Sequence, residues 1–313
     1  MELRHLRYFI MVAEERHFTR AAARLNMQQP PLSQQIRALE QELGFDLFKR
    51  HSKGVDLTAG GLVFLEEAQA ILARVKHGAL KASRVAQGIE GTLAIGFTSS
   101  AAAHALIPRI IRAYRERYPA VELSINEGSA RELTEDAIEK RIDVGILRAP
   151  VSTHQSLTFH RLLNEEMLLV LPTDHPVLDT AGSAIPLITL KDERFILVRR
   201  PGAPGMYANL ITACQNAGFE PRIAFEVERM LTNVSLVAAG EGISVVPASM
   251  RDVHRDSVVY CRIKDAKPKL LAPITLVRRT FNPSAPLQNF IALSRELGAA
   301  YRKGAESSRE SCW

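Results

Sequence analysis

Apolar positions along the 313-residue chain change their period twice. Over residues 3–58 they come in short bursts at helical spacing. Leu3, Leu6, Phe9 (with Ile10) and Ala13 form one stripe and predict a first helix. Residues 18–25, Phe-Thr-Arg-Ala-Ala-Ala-Arg-Leu, predict a short second helix with a small-residue face. Asn26 and Met27 supply a tight turn, and residues 28–43 predict a third helix with Leu32, Ile36, Leu39 and Leu43 facing inward. Pro30 and Pro31 fit that helix only near its beginning, where a missing N–H costs little. Two short apolar runs then flank Ser-Lys-Gly and predict a hairpin over residues 46–58.

From residue 59 to about 87 the chain runs without proline. Leu65, Ala68, Leu72, Val75, Ala79, Ala82 and Ala86 follow steps of three and four, the spacing of a heptad seam with small residues that let a second helix approach. Thr58 before Ala-Gly-Gly is a candidate N-cap. A self-pairing dimer helix is the favoured reading; a helix packed on its own domain is the alternative.

After Gly88-Ile-Glu-Gly91 the pattern becomes alternating strand and helix. Strand-like runs fall at 92–97, 121–126, 142–147, 167–171, 195–198, 223–227, 243–246, 258–262 and 274–277, with amphipathic helices at 107–118, 131–140, 207–217 and 231–239. Such alternation implies sheets covered by helices on both faces, and roughly 220 residues suffice for two subdomains. Residues 302–313 are polar and Ser-rich and predict a frayed, disordered tail.

Composition narrows the class. Hydrophobic residues at 46% and charged residues at 24% allow substantial cores and argue against disorder. Cys214, Cys261 and Cys312 are far apart, which disfavours a disulfide scaffold or zinc site and fits a reducing cytosol. The first residues carry charges where a signal peptide needs an apolar core, and no run of about 18 apolar residues predicts a membrane span. Net charge +6 permits an anionic partner. Residues 1–58 hold nine Lys/Arg against seven Asp/Glu, so bulk charge does not single them out.

Side-chain chemistry does. The outward face of the third helix carries Ser33, Gln34, Arg37 and Gln41, types able to read base edges in a major groove. The hairpin brings Arg50, His51 and Lys53, suited to phosphate contact beside that helix. Helical spacing alone would equally allow a three-helix bundle with a solvated polar face.

The run from Phe9 through Gly60 closely resembles the DNA-binding domain of LysR-type transcriptional regulators. It carries Phe-Thr-Arg-Ala-Ala-Ala-Arg-Leu, Gln-Gln-Pro-Pro-Leu-Ser-Gln-Gln-Ile, Leu-Glu-Gln-Glu-Leu-Gly, and Leu-Phe-Lys-Arg through Leu-Thr-Ala-Gly at the right spacing. One departure is His17, where many members place a serine that caps the second helix. The resemblance extends over all but the polar tail. It implies an α/β chain with an N-terminal winged helix-turn-helix (1–58), a dimerisation helix and linker (59–90), and a periplasmic-binding-protein-like effector domain (91–301) of two Rossmann-like subdomains. Subdomain I takes 91–163 and 270–301 and subdomain II 164–269, with crossover strands near 162–165 and 268–272. It also implies DNA contacts from Thr19, Gln29, Pro30, Pro31, Ser33, Gln34, Arg37, Arg50 and Lys53.

Thr98, Ser99 and Ser100 end a strand ahead of a helix, and Ser129 with Glu132 has the spacing of a capping box. Such turns present N–H and O–H donors to an anion, although each could be a cap and nothing more. Two at the ends of strands favour a crevice. Arg148 closes the run Ile-Asp-Val-Gly-Ile-Leu. In LysR-type sensors of aromatic acids and muconate the matching arginine and serines lie in the effector cleft. Pro201 through Tyr207, with Pro204 and Met206, matches the loop that closes it. Residues 237–249 resemble the aromatic-catabolism branch, and Gly240-Glu-Gly242 reads as a helix-to-strand turn because no third glycine completes a dinucleotide fingerprint.

The expected partners are promoter double-stranded DNA, a small aromatic or unsaturated carboxylate, a second copy of the chain (homodimer or dimer of dimers) and RNA polymerase. No cofactor, metal or membrane is expected, and the expected location is the cytoplasm. An enzyme is disfavoured by the absence of a GxSxG elbow, a P-loop, HExxH or a Cys/His cluster. A periplasmic solute-binding protein would need a signal peptide and no helix-turn-helix.

Overall fold

A computed structural model describes residues 1–148, 154–180, 184–198, 207–281 and 283–310, with only the backbone for Thr180 and for 304–310. The chain separates into two compact units, Met1–Arg84 and Val85–Trp313.

In the first unit, α1 (Leu3–Glu15), α2 (Phe18–Arg24) and α3 (Gln29–Leu43) precede a hairpin of β1 (Phe48–His51) and β2 (Gly54–Leu57). Leu6, Phe9, Val12, Phe18, Leu32, Ile36, Leu39, Leu47 and Val55 form one buried core. The Phe9 and Phe18 rings lie 5.3 and 6.0 Å from Phe48, tying wing to helices. Each fully buried ring of this kind stabilises the unit by about 1.5–3 kcal/mol. Pro30 and Pro31 sit in the first turn of α3, as their chemistry requires. Gly54 (φ 147°) is obligatory, since a Cβ there would lie 2.4 Å from the Arg16 carbonyl, which accepts the Val55 N–H at 3.0 Å.

α4 (Ala59–Ala86) begins at Thr58, whose Oγ1 accepts the Gly61 N–H at 2.8 Å. Its apolar seam divides. Leu65, Ala68 and Leu72, with Phe64, pack on the core of their own unit, the alternative that the periodicity left open. The reason is that the hairpin and α1 leave an apolar groove that the first turns of α4 fill. Further along, Val75, Leu80 and Val85 are exposed, as are Leu62, Val63 and Ile71.

The second unit alternates β3 (Glu90–Phe97), α5 (Ser99–Ala102), α6 (Leu106–Arg117), β4 (Ala120–Glu127), α7 (Ala130–Ile138), β5 (Val144–Leu147), β6 (Leu157–Pro172), α8 (Val177–Thr180), β7 (Ala184–Pro186), β8 (Arg194–Val198), α9 (Ala208–Asn216), β9 (Arg222–Val227), α10 (Met230–Ala238), β10 (Ser244–Pro247), β11 (Val258–Lys264), β12 (Leu271–Arg279) and α11 (Ala285–Glu310). The strand order is β4-β3-β5-β12-β6-β11-β7, with β10 also on β6, while β8 and β9 pair in parallel. A first lobe encloses one core under α6 and α11 and another against α7; a second lobe has cores against α9 and α10.

β6 joins the lobes. It pairs with β12 as far as Glu166 and with β10 and β11 from Met167 onward, so the first crossover is the middle of one continuous strand. Only its second half, 167–171, is visible in the apolar pattern, because His160, Arg161 and Asn164 interrupt the first. Gly242 (φ 151°) makes the helix-to-strand turn, its position closed to a Cβ by the Arg194 carbonyl at 2.4 Å. α11 continues to Glu310, into the stretch expected to fray, and its Arg302 side chain donates to the Leu162 carbonyl at 2.8 Å. Residues 311–313 lie outside the described residues.

Candidate functional site

In the first unit the α2–turn–α3 arrangement leaves one polar face uncovered. Thr19, Gln29, Pro30, Pro31, Gln34, Arg37, Arg50 and Lys53 are exposed and Ser33 is half-buried. Among the described residues, Gln34 and Arg37 make no side-chain hydrogen bond or ion pair, so their donors are free for an external partner. Gln29 donates to Ser33 Oγ at 3.1 Å, orienting both at the start of α3. Arg50 lies over the Phe18 ring at 4.8 Å, holding the wing against α2 with its charge at the surface.

Two positioning contacts escaped the reading of the sequence. Glu40 on the inner side of α3 accepts the Leu47 and Phe48 N–H groups at 2.9 and 3.2 Å, fixing the entry to the wing. The departure at His17 proves functional as a cap: its Nδ1 accepts the Thr19 N–H at 3.2 Å, an imidazole in place of a hydroxyl.

In the second unit the predicted residues divide by role. Thr98 caps α5, its Oγ1 accepting the Ala101 N–H at 3.3 Å and lying 3.4 Å from Ser100 Oγ. Ser129 caps α7 in a capping box: Oγ accepts the Glu132 N–H at 3.3 Å, and its own N–H donates to Glu132 Oε2 at 2.6 Å. Both hydroxyls therefore serve their helices. Ser99 is half-buried and Ser100 buried. Pro204 and Met206 lie outside the described residues.

Arg148 is the centre of the junction between the lobes. Its guanidinium donates to the Ser100 carbonyl and, at 2.9 Å, to Ser249 Oγ in the turn after β10. It also forms an ion pair with Glu165 of β6, the two side chains only 5% and 10% exposed. Glu165 in turn accepts the Ser249 N–H at 3.0 Å and hydroxyl at 2.9 Å. Arg148 thus does not face the crevice as an unpaired charge. Burial pushes its pKa down while Glu165 holds it up, and Nε is buried without a partner among the described residues. His104, buried nearby and capping Leu106 N through Nδ1 at 3.1 Å, is pushed below its ordinary 6.5 by burial, with Glu165 opposing and Arg148 adding to the shift. At the rim, Arg229 at the start of α10 reaches Glu127 at the end of β4 at 4.0 Å, an exposed pair of little energetic weight.

Glu165 and Ser249 were legible in principle. Two adjacent acids inside an apolar strand demand a partner when buried, and Ser249 ends a segment already singled out. Among the described residues no His, Cys, Asp and Glu side chains gather as a metal site, and no helix is long and apolar enough to cross a membrane.

A winged helix-turn-helix ahead of a two-lobed α/β unit with polar groups converging between its lobes defines a ligand-responsive DNA-binding regulator. Family comparison makes this specific. Residues 3–62 match the bacterial regulatory helix-turn-helix protein, lysR family, and residues 86–299 match the LysR substrate binding domain. The chain belongs to the LysR-type transcriptional regulators.

It is 38% identical to the HTH-type transcriptional regulator AlsR of Bacillus subtilis over 294 residues, covering 94% of this chain and 95% of AlsR. Full-length CbnR complexed with its target DNA superposes with a TM-score of 0.75 at 28% identity, over 95% of this chain and 100% of CbnR. The BenM effector binding domain with its effector benzoate gives 0.58 at 29% identity, over 68% of this chain and 94% of that domain. These relatives are transcription regulators and not enzymes.

Proposed function

We propose that this regulator responds to a small organic anion, an aromatic or unsaturated carboxylate, received where Arg148, Glu165 and Ser249 meet between the lobes. The observation that carries the reading is the buried Arg148, one side chain bonded to Ser100 of the first lobe and Ser249 of the second. A ligand carboxylate would take the place of Glu165 on the guanidinium, with Ser99 and Ser100 backbone donors completing its shell and Thr98 and Ser129 at its margins. BenM's benzoate supports this class by kinship.

DNA would be read by Ser33, Gln34 and Arg37 in the major groove, with Thr19, Gln29, Pro30, Pro31, Arg50 and Lys53 on the backbone. The exposed second half of α4 would pair with another copy, giving a dimer or a dimer of dimers on a near-palindromic promoter in the cytoplasm, where RNA polymerase is engaged. The ligand changes the DNA complex only in proportion to its differential affinity for the chain's two states.

Calorimetry with benzoate and an unsaturated dicarboxylate tests the exchange. Glu165→Gln removes the competing charge and should tighten binding by about tenfold or more, whereas Arg148→Ala should abolish it. Equal affinity in wild type and Arg148→Ala would place the anion elsewhere.

A further inference from the structure

Away from the junction, the α11 side of the first lobe buries donors that nothing satisfies. Thr158 pairs with Arg278 and His160 with Leu276 across β6 and β12. Directly opposed residues share a face, so His160 and Arg278 lie diagonally on one side of the sheet. That side is the one under α11, since Leu276 packs with Leu287, Phe290 and Ile291. Gly298 of α11 sits over β6, where an added Cβ would lie 3.5 Å from Leu162. Ser294, one turn earlier on the same helical face, is fully buried.

Three atoms in this layer are buried without a hydrogen-bond partner among the described residues: His160 Nε2, Arg278 Nε and Ser294 Oγ. All three are able to donate. The charged groups that act on His160 are Arg278 of β12 and Arg295 of α11, both cations. Arg278 spends one Nη on the Arg279 and Thr280 carbonyls, and Arg295 is exposed at the edge. Two fixed positive charges beside a histidine, with orphaned buried donors and, among the described residues, no carboxylate acting on that histidine, are a poor structural motif and a good oxyanion receptor.

We propose that His160, Arg278, Ser294 and Arg295 form a binding site for a small oxyanion, separate from the Arg148 junction. Arg278 and Arg295 supply charge, and Ser294 and His160 supply donors beneath it. In the unliganded protein burial and the two arginines hold His160 below its ordinary 6.5. An anion reverses that bias, so binding draws a proton onto the imidazole and strengthens as pH falls toward and below 6.5.

Inorganic phosphate is the probe, titrated into the full chain at constant ionic strength against sodium chloride. Wild type should show a saturable rise in thermal midpoint and, by calorimetry in two buffers of different ionisation enthalpy near pH 7, net proton uptake. Arg295→Gln, an exposed change that leaves the core intact, should weaken phosphate by about tenfold. Ser294→Ala should weaken it without loss of basal stability, and His160→Gln should remove the proton uptake. The double replacement Arg148→Met with Glu165→Leu, which strands no buried charge, should bind phosphate as wild type does, which separates the site from the proposed effector junction. No effect of phosphate beyond chloride, or undiminished binding in Arg295→Gln and Ser294→Ala, overturns the site. Loss of phosphate binding in the Arg148→Met/Glu165→Leu pair, with Arg295→Gln and Ser294→Ala unaffected, would assign the anion to the junction instead.

Discussion

The two units of this chain hold their functional charges in opposite ways. On the outward face of α3, Gln34 and Arg37 are exposed and, among the described residues, unengaged, and Arg50 rests on a ring with its charge outward. At the lobe junction Arg148 is buried, paired with Glu165 and bonded into both lobes. A surface that reads DNA needs little rearrangement, because its counterions are solvent ions that a phosphate displaces. A ligand carboxylate that took the guanidinium, as proposed, would have to displace Glu165, and its binding would then be coupled directly to the contact that joins the lobes.

The strongest way to break this contrast is Arg148→Ala. It strands Glu165 in a buried site and should destabilise the second unit by about 3–5 kcal/mol, read by urea denaturation. Replacing both partners, Arg148→Met with Glu165→Leu, should recover most of that loss, because no uncompensated charge remains. If Arg148→Ala melts as wild type does, the pair is solvated and the contrast is false.

Next comes α4, whose two halves sharpen the comparison within one helix. Leu72→Glu should destabilise the first unit by several kcal/mol, since Leu72 packs on its core. Val75→Glu with Leu80→Glu should leave that stability unchanged and lower the mass in sedimentation. A mass unaltered by the double substitution would remove the exposed half of α4 from the assembly.

On the DNA face, Arg37→Ala should cost about 1–3 kcal/mol on the cognate site with no change in folding stability. Arg50→Ala should weaken all sequences alike and reduce the salt slope by about one. An identical specificity profile for wild type and Arg37→Ala would rule out base contact by that side chain.

The smallest effect concerns His104. Its folded pKa is depressed below 6.5, so protonation favours the unfolded chain, and stability falls as pH drops from about 6.5 toward the folded value. His104→Gln should flatten that stretch of the stability–pH profile. A profile unchanged in this window would mean that His104 is not the titrating group.

How much of this was readable depends on whether the signal was local. The winged unit follows from helical spacing, prolines confined to the first turn of α3 and a glycine at the wing, each a nearest-neighbour effect, so its elements fall within a residue or two of expectation. The seam of α4 was visible as a period, but not what covers it: Leu65, Ala68 and Leu72 meet side chains from α1 and the hairpin that no period encodes. Arg148 was visible as an arginine at the end of a strand. Its partners left only an indirect trace, a pair of adjacent acids at Glu165 and a serine ending a singled-out segment at Ser249, because one lies on another strand and the other in the second lobe. Capping explains Thr98 and Ser129 as locally as it explains Thr58, which is why those serines and threonines were easy to find and hard to assign.

The unbroken course of β6 through both lobes has a mechanical consequence. A pair of bodies on a flexible tether swings open like a book; these two share a beam. Sixteen residues of β6, clamped by β12 on one lobe and by β10 and β11 on the other, resist bending across the strand and yield more readily to torsion along it. The irregular register at Ile274/Thr275 is the compliant point of that beam, where the ladder already admits an extra residue. Glu165 stands close by on the same strand. A relative motion of the lobes about such a beam would be a twist along the strand axis, small at the junction and growing with distance from it.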